Sequence, residues 1–188
     1  LLALREKIAR DYAYLEGQPE RVVITAGSQE ALYLALLALV EEGDEVLLPN
    51  PGFVAYPTIV QMAGGTSTFY RLPRENTFAF DVDEFRRALS PRTKVVVCIS
   101  PSNPTGRVLS RDDLAAIGDV LRDHGAYLIS DEIYRDLYYA AERPGSLSSF
   151  YERTIVIGGL SKSMSMTGWR LGWLCGEEAL VQGALVLH

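Results

Sequence analysis

The strongest constraint on this chain is the alternation of short β-branched runs with longer segments of helical period. RVVIT (21–25), EVLL (45–48), TSTFY (66–70), KVVVCIS (94–100), AYLIS (126–130), TIVIGG (154–159) and RLGWLC (170–175) read as seven strands. Segments at 1–14, 28–42, 53–63, 81–89, 110–124 and 177–187 carry helical spacing. Such alternation predicts an α/β fold, a mostly parallel seven-stranded sheet with helices on both faces. The punctuation agrees. Ser110 followed by Asp113 resembles a capping box, and Gly43 and Gly125 stand where helices should end. No repeat and no Gly/Ser- or Pro-rich linker divides the sequence, so residues 1–188 are expected to form one domain.

Composition narrows the function. Asp and Glu number 24 against 18 Lys and Arg, a formal net charge of −6, which leaves no basic field for nucleic acid or an anionic membrane. The longest apolar run, Ala31 to Val40, is far short of the roughly 20 residues a bilayer needs and reads as a buried helix. Cys98 and Cys175 lie in separate strand-like runs without metal-ligand spacing, and no leader pattern opens the sequence, so a reducing cytoplasm is the expected location.

In an open parallel sheet, ligands bind beyond the carboxyl ends of the strands. Four strands here end in polar segments: Ala26-Gly27-Ser28-Gln29, Pro101-Ser102-Asn103-Pro104-Thr105-Gly106, Asp131-Glu132-Ile133-Tyr134 and Leu160-Ser161-Lys162. Each has a purely structural reading. Gly27-Ser28 serves equally as a helix N-cap or as a phosphate site built on free N–H groups and the helix dipole. Asn103-Pro104-Thr105-Gly106 is ordinary turn chemistry. Asp131 could cap a following helix, yet a carboxylate closing an apolar strand is costly to bury without a cation. Lys162 could be a surface lysine; buried among cations, its amine would become a nucleophile toward carbonyls. Arg170 suits a phosphate or a structural salt bridge. All four segments at one sheet edge point to a shared site.

Taken together, TAGSQEAL (25–32), PSNPTG (101–106), SDEIYRDL (130–137) and LSKSMSMTGWRLGW (160–173) resemble the class I/II aminotransferases of the fold-type I pyridoxal-phosphate enzymes, nearest to the aspartate and aromatic subgroup. The resemblance implies pyridoxal phosphate as cofactor and Lys162 as the Schiff-base lysine, which later moves a proton at the substrate α-carbon. It implies Asp131 as the carboxylate that keeps the pyridine nitrogen protonated, and Asn103 and Tyr134 as partners of the phenolate oxygen. Gly27, Ser28, Gln29, Ser161 and Arg170 would cradle the phosphate, Phe53 would stack on the ring, and Tyr56 would lie just behind. A cis Asn103–Pro104 bond is also implied. One departure is Gly159, where many members carry a phosphate-binding serine.

The resemblance further implies transamination between an amino acid and a 2-oxo acid in a homodimer. An N-terminal arm, and a small C-terminal domain with the arginine for the substrate carboxylate, would lie outside the large domain expected at 1–188. Two alternatives share these motifs: a β-lyase or related enzyme of the same fold, and the aminotransferase-like domain of a transcription regulator. His124 reads as a helix-end cation, and Trp169, Trp173, Tyr138 and Tyr139 as packing residues.

Overall fold

Strands form at all seven β-branched runs in the computed structural model, which describes residues 1–188. They are β1 (Val22–Thr25), β2 (Glu45–Asn50), β3 (Thr66–Arg71), β4 (Thr93–Ile99), β5 (Tyr127–Asp131), β6 (Thr154–Gly159) and β7 (Gly172–Cys175). The helices are α1 (Leu2–Asp11), α2 (Ser28–Leu39), α3 (Tyr56–Met62), α4 (Val82–Ala88), α5 (Arg111–His124) and α6 (Glu178–Leu187). The strands join in one sheet of order β1-β7-β6-β5-β4-β2-β3. Every neighbouring pair is parallel except the two made by β7, which runs antiparallel to β1 and β6.

The two-residue period of a strand explains how continuous apolar runs cover both faces. From β4, Val95, Val97 and Ile99 join Ile129, Ile155, Ile157 and Leu174 beneath α2, α3 and α6. Val96 and Cys98 point the other way, with Leu128, onto Leu114, Ile117 and Leu121 of α5. A smaller cluster joins Ile8 and Ala9 of α1 to Val22, Val156, Trp173 and Cys175. The Ser110–Asp113 capping box forms, and Gly125 closes α5 in the left-handed region at φ 86°.

Some boundaries differ from the sequence reading. α2 stops at Leu39, because Val40 is extended and the N–H of Glu41 turns to the Asp44 carboxylate (3.0 Å); Gly43 therefore serves that turn and not the helix end. α1 ends at Asp11, followed by a separate 3-10 turn at Ala13–Leu15. α3 begins at Tyr56, with Pro57 in its first turn, where no N–H is required. Phe53 lies in the preceding turn, its carbonyl accepting from the N–H of Tyr56 (3.1 Å). β7 starts only at Gly172, since Arg170 is left-handed at φ 50°. No helix is long and apolar enough to cross a membrane.

Candidate active site

The sheet register brings the four polar segments to one edge. Ile99 pairs with Asp131 and Asp131 with Ile157; Gly159 pairs with Gly172, and Gly172 with Thr25. The loops after β1, β4, β5 and β6 thus leave from the same side, where a cleft of about 260 Å³ opens. Ser28, Gln29, Phe53, Asn103, Asp131, Tyr134, Ser161, Lys162 and Arg170 all line it, as do Ile99, Ile133 and Thr167. Gly27 is buried directly beneath Arg170.

One end of the cleft is built for an anion. α2 starts at Ser28 with no side-chain cap, so its first-turn N–H groups and the positive end of its dipole face the cleft. Arg170 lies across Gly27, held by Nη1 to the Thr167 carbonyl (3.2 Å) and Nη2 to the Ala26 carbonyl (3.4 Å). No carboxylate pairs with it, so the salt-bridge alternative for Arg170 is not what the structure holds. Two glycines make this approach possible. A Cβ on Gly27, where φ is +97°, would sit 2.4 Å from Arg170 Nη2, and one on Gly172 would sit 2.4 Å from the Gly27 carbonyl carbon.

The other end is a buried carboxylate. Asp131 is 7% exposed; the Tyr56 hydroxyl donates to its Oδ2 (2.8 Å) and the Ile133 N–H to its Oδ1 (3.2 Å). Burial holds its pKa above the usual aspartate value, against the pull of these two donors. No helix follows for Asp131 to cap. The cation the sequence reading asked for is not supplied by any side chain, and a phenol and one amide N–H stand beside the carboxylate.

Lys162 lies between the two ends, its Nζ 5.9 Å from the centroid of the Tyr134 ring. One expectation is corrected here: Lys162 is exposed, not buried, because the segment after β6 runs along the rim of the cleft. Phe53 packs edge-on against Tyr56 at 5.5 Å between ring centroids. The Asn103–Pro104 bond is cis, as are Asn50–Pro51 and Ser100–Pro101. Gly159 is buried, and a Cβ there would lie 2.9 Å from Ile133 Cδ1 and 3.2 Å from the Leu171 carbonyl; its position serves packing rather than an anion.

Several features escaped the sequence reading. Thr167 lines the cleft, and its hydroxyl donates to the Ser161 carbonyl (3.0 Å), tying the two ends of the lysine segment. The signal was its place in the Thr-Gly-Trp-Arg run. Glu132 is a second buried carboxylate, accepting from Ser130 Oγ (2.9 Å) and Ser146 Oγ (2.6 Å) with Arg135 Nη1 at 3.4 Å. Two consecutive acids closing a strand must face opposite sides of the sheet, which is the clue that Glu132 has its own site. Trp173 is buried as expected, but Trp169 is 75% exposed and Tyr138 and Tyr139 also face solvent, so these three are not packing residues in this chain. His124 does close α5, its Nε2 lying 2.9 Å from the Ser90 carbonyl.

The donor set therefore has three parts: N–H groups, a hydroxyl and an unpaired guanidinium at one end, a buried carboxylate at the other, and an amine and a phenol between. It fits an elongated ligand with an anionic head, a carbonyl for the amine and a protonatable far end. Residues 1–187 match the family of aminotransferase class I and II. The chain belongs to that family. The aspartate aminotransferase of Geobacillus stearothermophilus is 38% identical to it over 189 residues, spanning 97% of this chain and 48% of that protein. The solved aspartate aminotransferase of Thermus thermophilus with maleate superposes at a TM-score of 0.92 and 36% identity, covering 99% of this chain and 48% of that one. An aromatic aminotransferase from Pyrococcus horikoshii gives 0.92 at 35% identity, covering 100% and 52%. This member of the family thus spans about half the length of the relatives it matches, and the family's cofactor is pyridoxal phosphate.

Proposed function

We propose that this chain is the cofactor-binding large domain of a pyridoxal-phosphate-dependent aminotransferase that moves an amino group between an amino acid and a 2-oxo acid. The observation that carries the reading is the cleft's polarity, with an uncapped helix start and unpaired Arg170 at one end and the buried Asp131 carboxylate at the other. When bound, pyridoxal phosphate supplies an aldehyde that captures amines and a ring that accepts electrons.

The chain's own residues do the rest. Arg170 offers a fixed fork of donors to the phosphate, joined by the Ser28 and Gln29 N–H groups and the Ser161 hydroxyl. Asp131, braced by Tyr56, presents a carboxylate that holds a proton on the ring nitrogen. Asn103 and Tyr134 donate to the ring oxygen, and Phe53 supplies an aromatic face. Lys162 Nζ is the amine that would hold the cofactor through its aldehyde and would carry a proton at the substrate α-carbon. Its exposure leaves it reachable by both cofactor and substrate.

The same reading makes the protein a cytoplasmic homodimer. The buried free thiols Cys98 and Cys175 suit a reducing compartment, and the exposed Trp169 and Met164 give a second subunit apolar surface beside the cleft. The test is an absorbance titration with pyridoxal phosphate, followed by borohydride reduction and mass mapping, on the wild type and Lys162→Ala. A visible band, with the reduced adduct on Lys162 and both lost in the variant, is the expected result. An adduct spread over other lysines would overturn the assignment.

A further inference from the structure

Ser161 and Arg170, two of the side chains assigned to the phosphate, come from near the opposite ends of the loop that joins β6 to β7. The backbone of that loop bonds only in local turns. The Met164 and Met166 N–H groups donate to the Leu160 carbonyl (3.3 Å each) and the Trp169 N–H to the Met166 carbonyl (3.1 Å). Ser165 and Arg170 are left-handed, at φ 54° and 50°, a conformation that a residue with a Cβ holds only when its surroundings impose it. Thr167 supplies the tie across the loop. Its hydroxyl donates to the Ser161 carbonyl (3.0 Å), and its own carbonyl accepts from Arg170 Nη1 (3.2 Å). The hydroxyl bond is the one side-chain hydrogen bond that joins the half of the loop carrying Ser161 to the half carrying Arg170.

We propose that Thr167 is a positioning residue for the phosphate end of the cleft, setting Ser161 and Arg170 at the spacing at which both reach one anion. This role rests on the pyridoxal-phosphate function proposed above. The single hydroxyl proton of Thr167 is directed at the Ser161 carbonyl, so Thr167 acts through its two neighbours and not as a donor to the anion. Gly159 offers no hydroxyl, which leaves the loop's contribution to Ser161 and Arg170. Donors fixed before the ligand arrives spare the complex the cost of ordering them. The effect is confined to the phosphate end by the side chains themselves. Ser161 is too short, and the Arg170 fork too rigid, to follow a displaced backbone, whereas Lys162 absorbs a small displacement along its flexible stem.

The test titrates pyridoxal phosphate, and pyridoxal as the same aldehyde without the phosphate, into the wild type, Thr167→Val and Thr167→Ser, following the visible band. Valine keeps the shape and removes the hydroxyl, while serine keeps the hydroxyl. Thr167 is exposed, so neither change disturbs the core. Thr167→Val is expected to bind pyridoxal phosphate about threefold to tenfold more weakly, and Thr167→Ser to stay within about twofold of the wild type. Pyridoxal is expected to bind all three proteins alike. Equal affinity of wild type and Thr167→Val for pyridoxal phosphate, a Thr167→Ser as weak as Thr167→Val, or a loss in Thr167→Val as large for pyridoxal as for pyridoxal phosphate would overturn the positioning role. A wild type that forms no band with pyridoxal phosphate would overturn the proposed function, and this role with it.

Discussion

Replacing Tyr56 by Phe removes one hydroxyl from a buried pair and leaves the ring's packing in place. Tyr56 is 1% exposed and Asp131 7%, and the hydroxyl lies 2.8 Å from Oδ2. A hydrogen bond to a charged group contributes about 1.5–3 kcal/mol, more than one between neutral groups, so its loss weighs on the ionised carboxylate most. Asp131 already titrates above its ordinary value of 3.8 because burial outweighs the two donors, and losing one donor raises it further. The native state thus holds this proton more tightly than the unfolded chain. Stability is therefore lost as the pH rises from 3.8 through the raised folded value, and is level above it. In Tyr56→Phe that loss runs further. Urea unfolding without added cofactor should show the variant weaker by about 1 kcal/mol near pH 4, where only a neutral contact is lost, and by about 1.5–3 kcal/mol near pH 8. A penalty equal at both pH values, or one that shrinks as the pH rises, would refute the assignment of a charge-stabilising role to Tyr56.

Gly27→Ala should weaken pyridoxal phosphate binding by about tenfold in a direct titration, because the new Cβ, at φ +97°, displaces the Arg170 guanidinium from 2.4 Å. Gly158→Ala should destabilise the fold by about 1–3 kcal/mol, read as a lower thermal midpoint, since Trp173 Cε2 lies 2.4 Å from the Cβ position in a sheet that cannot yield. Glu132→Ala should cost about 1–3 kcal/mol in urea unfolding, since it leaves the buried Ser130 hydroxyl without its acceptor and Arg135 with only the more distant Asp11 carboxylate (3.8 Å); an unchanged unfolding midpoint would show that these buried groups find other partners.

What could be read from the sequence follows from which forces are local. KVVVCIS declares a strand buried on both faces because its period is visible in seven consecutive residues, and Ser110 with Asp113 declares a helix start because the capping bonds close within one turn. The cleft was legible for a similar reason. Strand ends are local, and a parallel sheet collects them at one edge whatever the side chains are, so Ser28, Asn103, Asp131 and Lys162 could be placed together before any contact was known. Contacts between distant residues were not legible. Nothing near Asp131 announces its bond to Tyr56, 75 residues away, which only the family resemblance set behind the ring, and nothing in RLGWLC states that β7 runs against its neighbours.

Exposure is harder still, because it depends on what an element leaves uncovered. The same segment, LSKSMSMTGWRLGW, contains a buried Trp173 and a solvent-facing Trp169, four residues apart and alike in chemistry. The difference is positional. Trp173 belongs to a strand between two others and lies over Gly158, where the missing side chain makes room for the indole. Trp169 ends the short 3-10 turn Thr167–Trp169 before that strand, next to Arg170 with its left-handed backbone, and is left 75% exposed. Lys162 is exposed for the same reason. The segment after β6 is anchored at its ends by the Leu160 and Leu171 backbone and by Thr167, and its middle faces outward. Lys162 thus follows its place on the rim and not the burial from which its role was argued in the sequence.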